Sequence, residues 1–339
     1  MSYKHVDITR FGGPEVLEVV EETVLPDPKP GEVRIKVLTT SAAFTDVMIR
    51  KGKYPDVKKA LPFSPGYDMV GIVDKLGAGI TQFQVGQRVA DLPVTGAYSE
   101  YICLPESHLT PVPDGLDSAE AVSVILSYVT AYQMLHRIAR VKPGQRILVH
   151  GAGGAVGTAL LQLGHLLGLE MYGTDCQSKH MLITNLGAVP IDCYREDLKA
   201  HLHATTGGVD AVFDPIGGES FQQSFGLLRP GGTLVAYGFQ NSVLGKGGNI
   251  PLDFLRLKFW NILPNRRSTK FYSIGALRQQ HPDWFVKDLT HLFELLGQGK
   301  IKPVIAAQMP LAEARTAHEL IEKAAVKGKI VLTVAEAGI

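Results

Sequence analysis

The sequence predicts an α/β protein in which a doubly wound parallel sheet interrupts a small antiparallel β barrel. Three observations carry that expectation. An apolar run, Arg146–His150, breaks into the glycine-rich turn GAGGAVG and continues with helical spacing. Strand-like and helix-like runs then alternate, the grammar of a parallel sheet. Before this block stand short alternating runs bounded by Gly and Pro, which read as antiparallel strands.

From Met1 to about Val124 these runs include EVRIKVLTTS, MVGIVDKLG and RVADL. The turn that follows has the form A-x-G-x-x-G, with very small residues at Ala152, Gly154 and Gly157. Such a turn needs a tight first position, a second that lets backbone approach a pyrophosphate, and a third that lets the helix pack on its strand. The N–H groups opening the helix, at Ala155 and Val156, would face the diphosphate. Val156, Leu160, Leu163 and Leu167 share one face of that helix. Leu169–Thr174, VDAVFD from Val209 and TLVAYG from Thr233 read as further strands. Between Asn241 and Arg267, Leu252, Leu255, Phe259 and Ile262 fall on one helical face, with Asp253, Arg256 and Asn261 off it. That amphipathic helix could cap a cleft, join a subunit interface, touch a membrane surface or pack on its own domain. RSTKFYSI reads as the last strand of the sheet. From about Gln279 two helical patterns and a closing strand, GKIVLTV, return to the first domain. The expected domains are therefore 1–124 with 279–339, and 125–278.

With 34 basic and 33 acidic residues among 339, nothing draws the chain to nucleic acid. Three cysteines are too few for a disulfide framework, and the N-terminus lacks an apolar signal core, so a cytoplasmic location is expected. No run approaches the roughly 20 apolar residues of a membrane span, and membrane contact is not expected. His201 and His203, two apart, do not share a helical face for metal binding. No G-x-S-x-G nucleophile elbow occurs.

The ordered segments PGEVRIKVLTTSAAFTDVMIRKGKYP, PFSPGYDMVGIVDKLG, VGQRVADL, KPGQRILVHGAGGAVG, GVDAVFDPIGG and LRPGGTLVAYG resemble the medium-chain dehydrogenase/reductase superfamily along nearly the whole chain. They are most similar to its zinc-free quinone oxidoreductase branch, which includes ζ-crystallin-like and vesicle-amine-transport-1-like proteins. The resemblance implies a Rossmann-type sheet inserted in a GroES-like β-barrel catalytic domain, and a homodimer. Zinc-dependent relatives carry a cysteine within the segment corresponding to Ala42–Asp46 and a His-Glu pair after a glycine. Here the latter places hold Tyr67 and Asp68, so no metal is expected. The resemblance places Tyr54 and Tyr67 in the catalytic pocket and Thr130 near the nicotinamide. Gly217, and Gly238 with Phe239, would lie in loops over the nicotinamide half. Many relatives have N-F-x-D where this chain has Ala43-Phe44-Thr45-Asp46, so any role of that asparagine is missing.

Signals for the cofactor conflict. Asp175 lies about 20 residues beyond the turn, where an acid binds the ribose of NAD. Lys179 and Tyr194 match family positions associated with the 2′-phosphate of NADP. NADP(H) is the favoured expectation. Without zinc, the implied reaction is hydride transfer to quinones or α,β-unsaturated carbonyl compounds, whose electrophilicity is intrinsic. The alternative is a nucleotide-binding structural or vesicle- or lipid-associated protein without significant turnover.

Overall fold

The computed structural model describes residues 1–193, 202 and 207–334. The chain separates into two compact units, Met1–Val129 with Phe285–Ile339, and Thr130–Trp284.

The first unit holds β1 (Tyr3–Ile8), β2 (Leu17–Glu22), β3 (Glu32–Ala42), β4 (Met69–Leu76), β5 (Arg88–Asp91), β6 (Tyr101–Pro105) and β7 (Thr110–Pro111). After the second unit it regains β14 (Ile305–Pro310) and β15 (Lys329–Thr333). β1 and β2 form a hairpin. Among the described residues the other seven strands form one sheet in the order β14-β15-β3-β4-β5-β7, with β6 also paired to β3. Its pairs are antiparallel, as the alternating runs before Val124 predict, except β14 with β15 near the end of the chain. A parallel pair requires a crossover, and the helix Ala314–Glu322 between the two strands provides it. β3 is the hub. Val33, Ile35 and Val37 point into the core at period two, and the alternation ends at Thr39–Ala42, which is buried throughout. There β15 and the helix Ser118–Ser123 cover it, the latter through a 3.0 Å bond from Thr39 Oγ1 to the Ser118 carbonyl.

Buried charge joins the two ends of the chain in this unit. Arg50 donates to Glu322 Oε1 at 2.7 Å and to His318 Nδ1 at 3.3 Å. Arginine can only donate, so Nδ1 accepts and His318 Nε2–H donates to the Tyr98 hydroxyl, 3.1 Å away.

The second unit contains β8 (Arg146–His150), β9 (Glu170–Asp175), β10 (Val189–Asp192), β11 (Val209–Asp214), β12 (Leu228–Ala236) and β13 (Ser268–Phe271). Among the described residues these form a six-stranded parallel sheet in the order β10-β9-β8-β11-β12-β13. This is the doubly wound order 3-2-1-4-5-6 of dinucleotide-binding folds, with its switch between β8 and β11. Entering it, the chain winds as α-helix over Val129–Gln133, flanked by π-helical turns at Val124–Tyr128 and Met134–Ala139.

The helix Ile250–Trp260 turns a different face inward from the one its spacing suggests. Leu252, Leu255, Phe259 and Ile262 are exposed, whereas Asp253 and Leu257 are buried. The segment is apolar nearly all round, so periodicity could not decide. Aromatic packing did: Trp260 stacks on Phe225 at 4.7 Å, and Phe254 sits between Phe239 and Phe271. No helix among the described residues is long and apolar enough to cross a membrane.

Burial, and then Arg50, hold the His318 pKa down at about 3. An unfolded histidine titrates near 6.5, so below that pH the unfolded chain gains a proton the fold refuses. Stability contributed by the neutral ring is full above about pH 6.5 and falls toward pH 3. Between pH 7 and 5 the loss should be about 2 kcal/mol. Denaturant titrations of wild type and His318→Asn at both pH values measure this; equal pH slopes in the two proteins would refute it.

Candidate nucleotide site and tyrosine pair

In the second unit the chain leaves β8 through Gly151, whose φ of +65° is the left-handed conformation the tight turn demands. Sequence reasoning assigned that turn to Ala152. Ala152 is instead wholly buried, its N–H bonded to the Thr174 carbonyl at 3.1 Å. Gly157 is required by close approach: a Cβ there would stand 2.3 Å from the Gly151 oxygen and 2.6 Å from Ala152 Cα. At Gly154 a Cβ would meet only the Gly151 oxygen, at 3.3 Å. Its outer side is therefore an open cradle. Gly154 also caps the helix Ala155–Leu166 without a side chain, leaving the half-buried start at Ala155 and Val156 for an anion.

Asp175 is the last residue of β9, not one beyond it. Its Oδ2 accepts from Gly153 N at 3.0 Å, and its Oδ1 from Cys176 N at 2.9 Å. Lys179 Nζ lies 3.4 Å from Oδ1, and the lysine stem lies across Gly153. The two residues whose signals conflict are thus one ion pair against the turn. Tyr194 lies outside the described residues. Gly153, missed by the sequence reading, carries both contacts; its place between two small turn residues was the available signal.

A second loop closes β11. Asp214 Oδ1 accepts from Ile216 N at 2.7 Å and Gly217 N at 3.4 Å, and Gly217 adopts a φ of +81°. Asp253 Oδ2 accepts from Gly218 N at 3.0 Å, which explains why the helix Ile250–Trp260 buries an acid. Gly238 packs against Pro215, where a Cβ would stand 2.7 Å from the carbonyl oxygen. Phe239 points into the aromatic cluster with Phe221 and Phe254. Thr130 is buried in the helix Val129–Gln133.

In the first unit Tyr54 and Tyr67 come together, their hydroxyls 2.6 Å apart and their rings edge to face. Burial pushes the Tyr54 phenol up to about 12 and Tyr67 well above its ordinary value. Asp46 accepts from Ala43 N at 2.9 Å and Gly66 N at 3.2 Å; burial, then Asp68, pushes its carboxyl up to about 7. Asp68 accepts from Ser41 N and Oγ and stands 3.5 Å from Lys329 Nζ.

Residues 29–114 match the alcohol dehydrogenase GroES-like domain, and residues 186–332 the zinc-binding dehydrogenase domain. The chain is 31% identical over 337 residues to the synaptic vesicle membrane protein VAT-1 homolog of Rattus norvegicus, covering 96% of this chain and 82% of that protein. It is 30% identical over 336 residues to the quinone oxidoreductase of Rattus norvegicus, covering 96% of each. The crystal structure of Escherichia coli quinone oxidoreductase complexed with NADPH is similar with a TM-score of 0.86 and 28% identity, over 97% of this chain and 99% of that one.

A dinucleotide fits the cradle at Gly154. A zinc ion does not fit beside Tyr67: its hydroxyl is engaged with Tyr54, and the Asp46 and Asp68 carboxylates already accept from the chain's own donors. No group of three potential ligands occurs among the described residues.

The two glycines should separate folding from binding. Gly157→Ala should destabilise the fold by about 2 kcal/mol or more, since helix and turn must part. Gly154→Ala should leave thermal unfolding within about 0.5 kcal/mol of wild type yet weaken dinucleotide binding, because its Cβ enters the cradle. Thermal melts with and without dinucleotide read both effects; a stable Gly157→Ala protein would contradict the packing argument.

Proposed function

The chain belongs to the medium-chain dehydrogenase/reductase superfamily of oxidoreductases, and from that membership we propose that it is a zinc-independent, NADPH-dependent reductase of quinones or α,β-unsaturated carbonyl compounds. The observation that supports this reading is the Tyr54–Tyr67 hydroxyl pair, in which Tyr67 holds the place where the resemblance puts a zinc-ligand histidine in metal-dependent relatives. When bound, the nicotinamide supplies a hydride to the electrophilic acceptor. The tyrosine pair keeps its protons at neutral pH, because burial disfavours the phenolates. One hydroxyl donates to the other, and the remaining O–H is available to an acceptor's oxygen. As negative charge gathers there, that donor stabilises it, while water supplies the proton that completes reduction.

Lys179 is the residue on which NADPH is favoured over NADH, a cation beside the turn next to an acid whose oxygens are already engaged. Both Asp175 oxygens already accept hydrogen bonds from Gly153 N and Cys176 N, and the lysine brings positive charge to the strand tip where a 2′-phosphate would add negative charge. The NADPH complex of the Escherichia coli relative supports the same choice.

Initial rates of NADPH and NADH oxidation, with a quinone and an open-chain enone in the presence of chelator, test the proposal. Chelator-insensitive turnover preferring NADPH is expected. Lys179→Ala should lower kcat/KM with NADPH about ten-fold and leave NADH within about two-fold. Tight cofactor binding without turnover on any acceptor would instead favour a nucleotide-binding protein. We also propose a homodimer through the edge strand β13, which exposed Leu255, Phe259 and Phe271 accompany. Sedimentation equilibrium should give twice the chain mass; a monomer at micromolar concentration would sink this part.

A further inference from the structure

Beneath the nucleotide turn lies a chain of buried side chains that the proposed reaction does not use. His150, 4% exposed, ends β8 immediately before Gly151. Its Nδ1 is 2.7 Å from Thr174 Oγ1, next to Asp175 at the tip of β9. Its Nε2 is 3.0 Å from Ser224 Oγ on the helix Glu219–Leu227. Ser224 donates to Asp214 Oδ2 at 2.7 Å, and Ser220 donates to the same oxygen at 2.6 Å. The other Asp214 oxygen holds the N–H groups of Ile216 and Gly217.

Valence sets the direction of every proton. The Asp214 carboxylate can only accept, so the single hydroxyl hydrogen of Ser224 points to it. Ser224 Oγ must then accept from His150 Nε2–H. The Nδ1 lone pair is left to accept from the Thr174 hydroxyl. Burial lowers the ring's pKa, which keeps it neutral, and a neutral ring has one tautomer that satisfies this chain. Each link from Thr174 onward donates toward Asp214, and a polar chain of this kind is stable only when every member is paired.

We infer that His150 is a positioning residue that fixes the Asp214 carboxylate, and through it the loop Asp214–Gly217, from the tip of β9. This rests on the dinucleotide reading above: the turn and β9 tip would hold the adenosine half, and the loop the nicotinamide half. Breaking the chain should therefore weaken ligands that reach the loop and spare those that do not. Simple core packing would affect both alike.

Calorimetric titration of the full chain with NADPH and with 2′,5′-ADP, which lacks the nicotinamide half, separates these outcomes. Ser224→Ala and His150→Phe should raise the Kd for NADPH about ten-fold and leave 2′,5′-ADP within about two-fold. His150→Gln, which restores one donor and one acceptor, should recover most of the loss. Ser224→Ala carries the test if His150→Phe does not fold. Equal weakening of both ligands, or no change in either, overturns the inference. Ring ¹⁵N shifts of His150 should show the neutral Nε2–H form, and an Nδ1–H form would equally overturn it. A wild-type protein that binds neither ligand would overturn the dinucleotide reading itself, and the role of His150 with it.

Discussion

The second unit depends on the contact between Gly157 and the turn that precedes it. Because the first helical turn lies directly on the Gly151 oxygen and Ala152 Cα, the helix axis is set by β8 and not by its own side chains. The helix start therefore opens at the end of β8, with Gly154 presenting backbone and no side chain. Ala152 turns its Cβ onto Gly173 of β9, which leaves it room for no larger side chain, and Gly153 bonds Asp175. Strand tip, turn and helix start are fixed together, which a phosphate site needs if its donors are to converge without reorganisation.

The first unit is organised by buried charge. Asp68 meets Lys329, and Arg50 meets Glu322 and His318, across nearly the whole length of the chain. An isolated buried ion is costly, so each such group demands its partner. The pairing with β15 supplies the matching backbone register. Within this frame the polar residues around Tyr67 are engaged with the chain's own groups. Asp68 holds Ser41, Asp46 holds Ala43 and Gly66, and Tyr67 reaches Tyr54.

Elements with strong local signals were legible in the sequence. The glycine turn, the strand after it, and the closing strand Lys329–Thr333 were read from apolar runs and turn residues, since these signals need only neighbours in sequence. Less legible was the helix Ile250–Trp260. Its apolar residues surround the axis, and its orientation was decided by Phe225, Phe239 and Phe271 from other elements. Asp253, which spacing placed off the apolar face, is buried because Gly218 N needs an acceptor. The antagonism between Asp175 and Lys179 was legible as a conflict, but their ion pair was not, because spacing alone does not show where two side chains point.

By itself, then, the sequence determined the class of fold, the place of the glycine turn and the absence of thiolate and imidazole at the resembled metal positions. Each follows from residue type and near-neighbour order. Only the tertiary structure decided that Gly151 makes the turn, that Tyr54 and Tyr67 share a hydrogen bond, and that His150 is joined through Ser224 to Asp214. These are relations between strand ends and loops separated by tens of residues. Their physical cause is that buried polar groups must find partners wherever the sheet order brings them together.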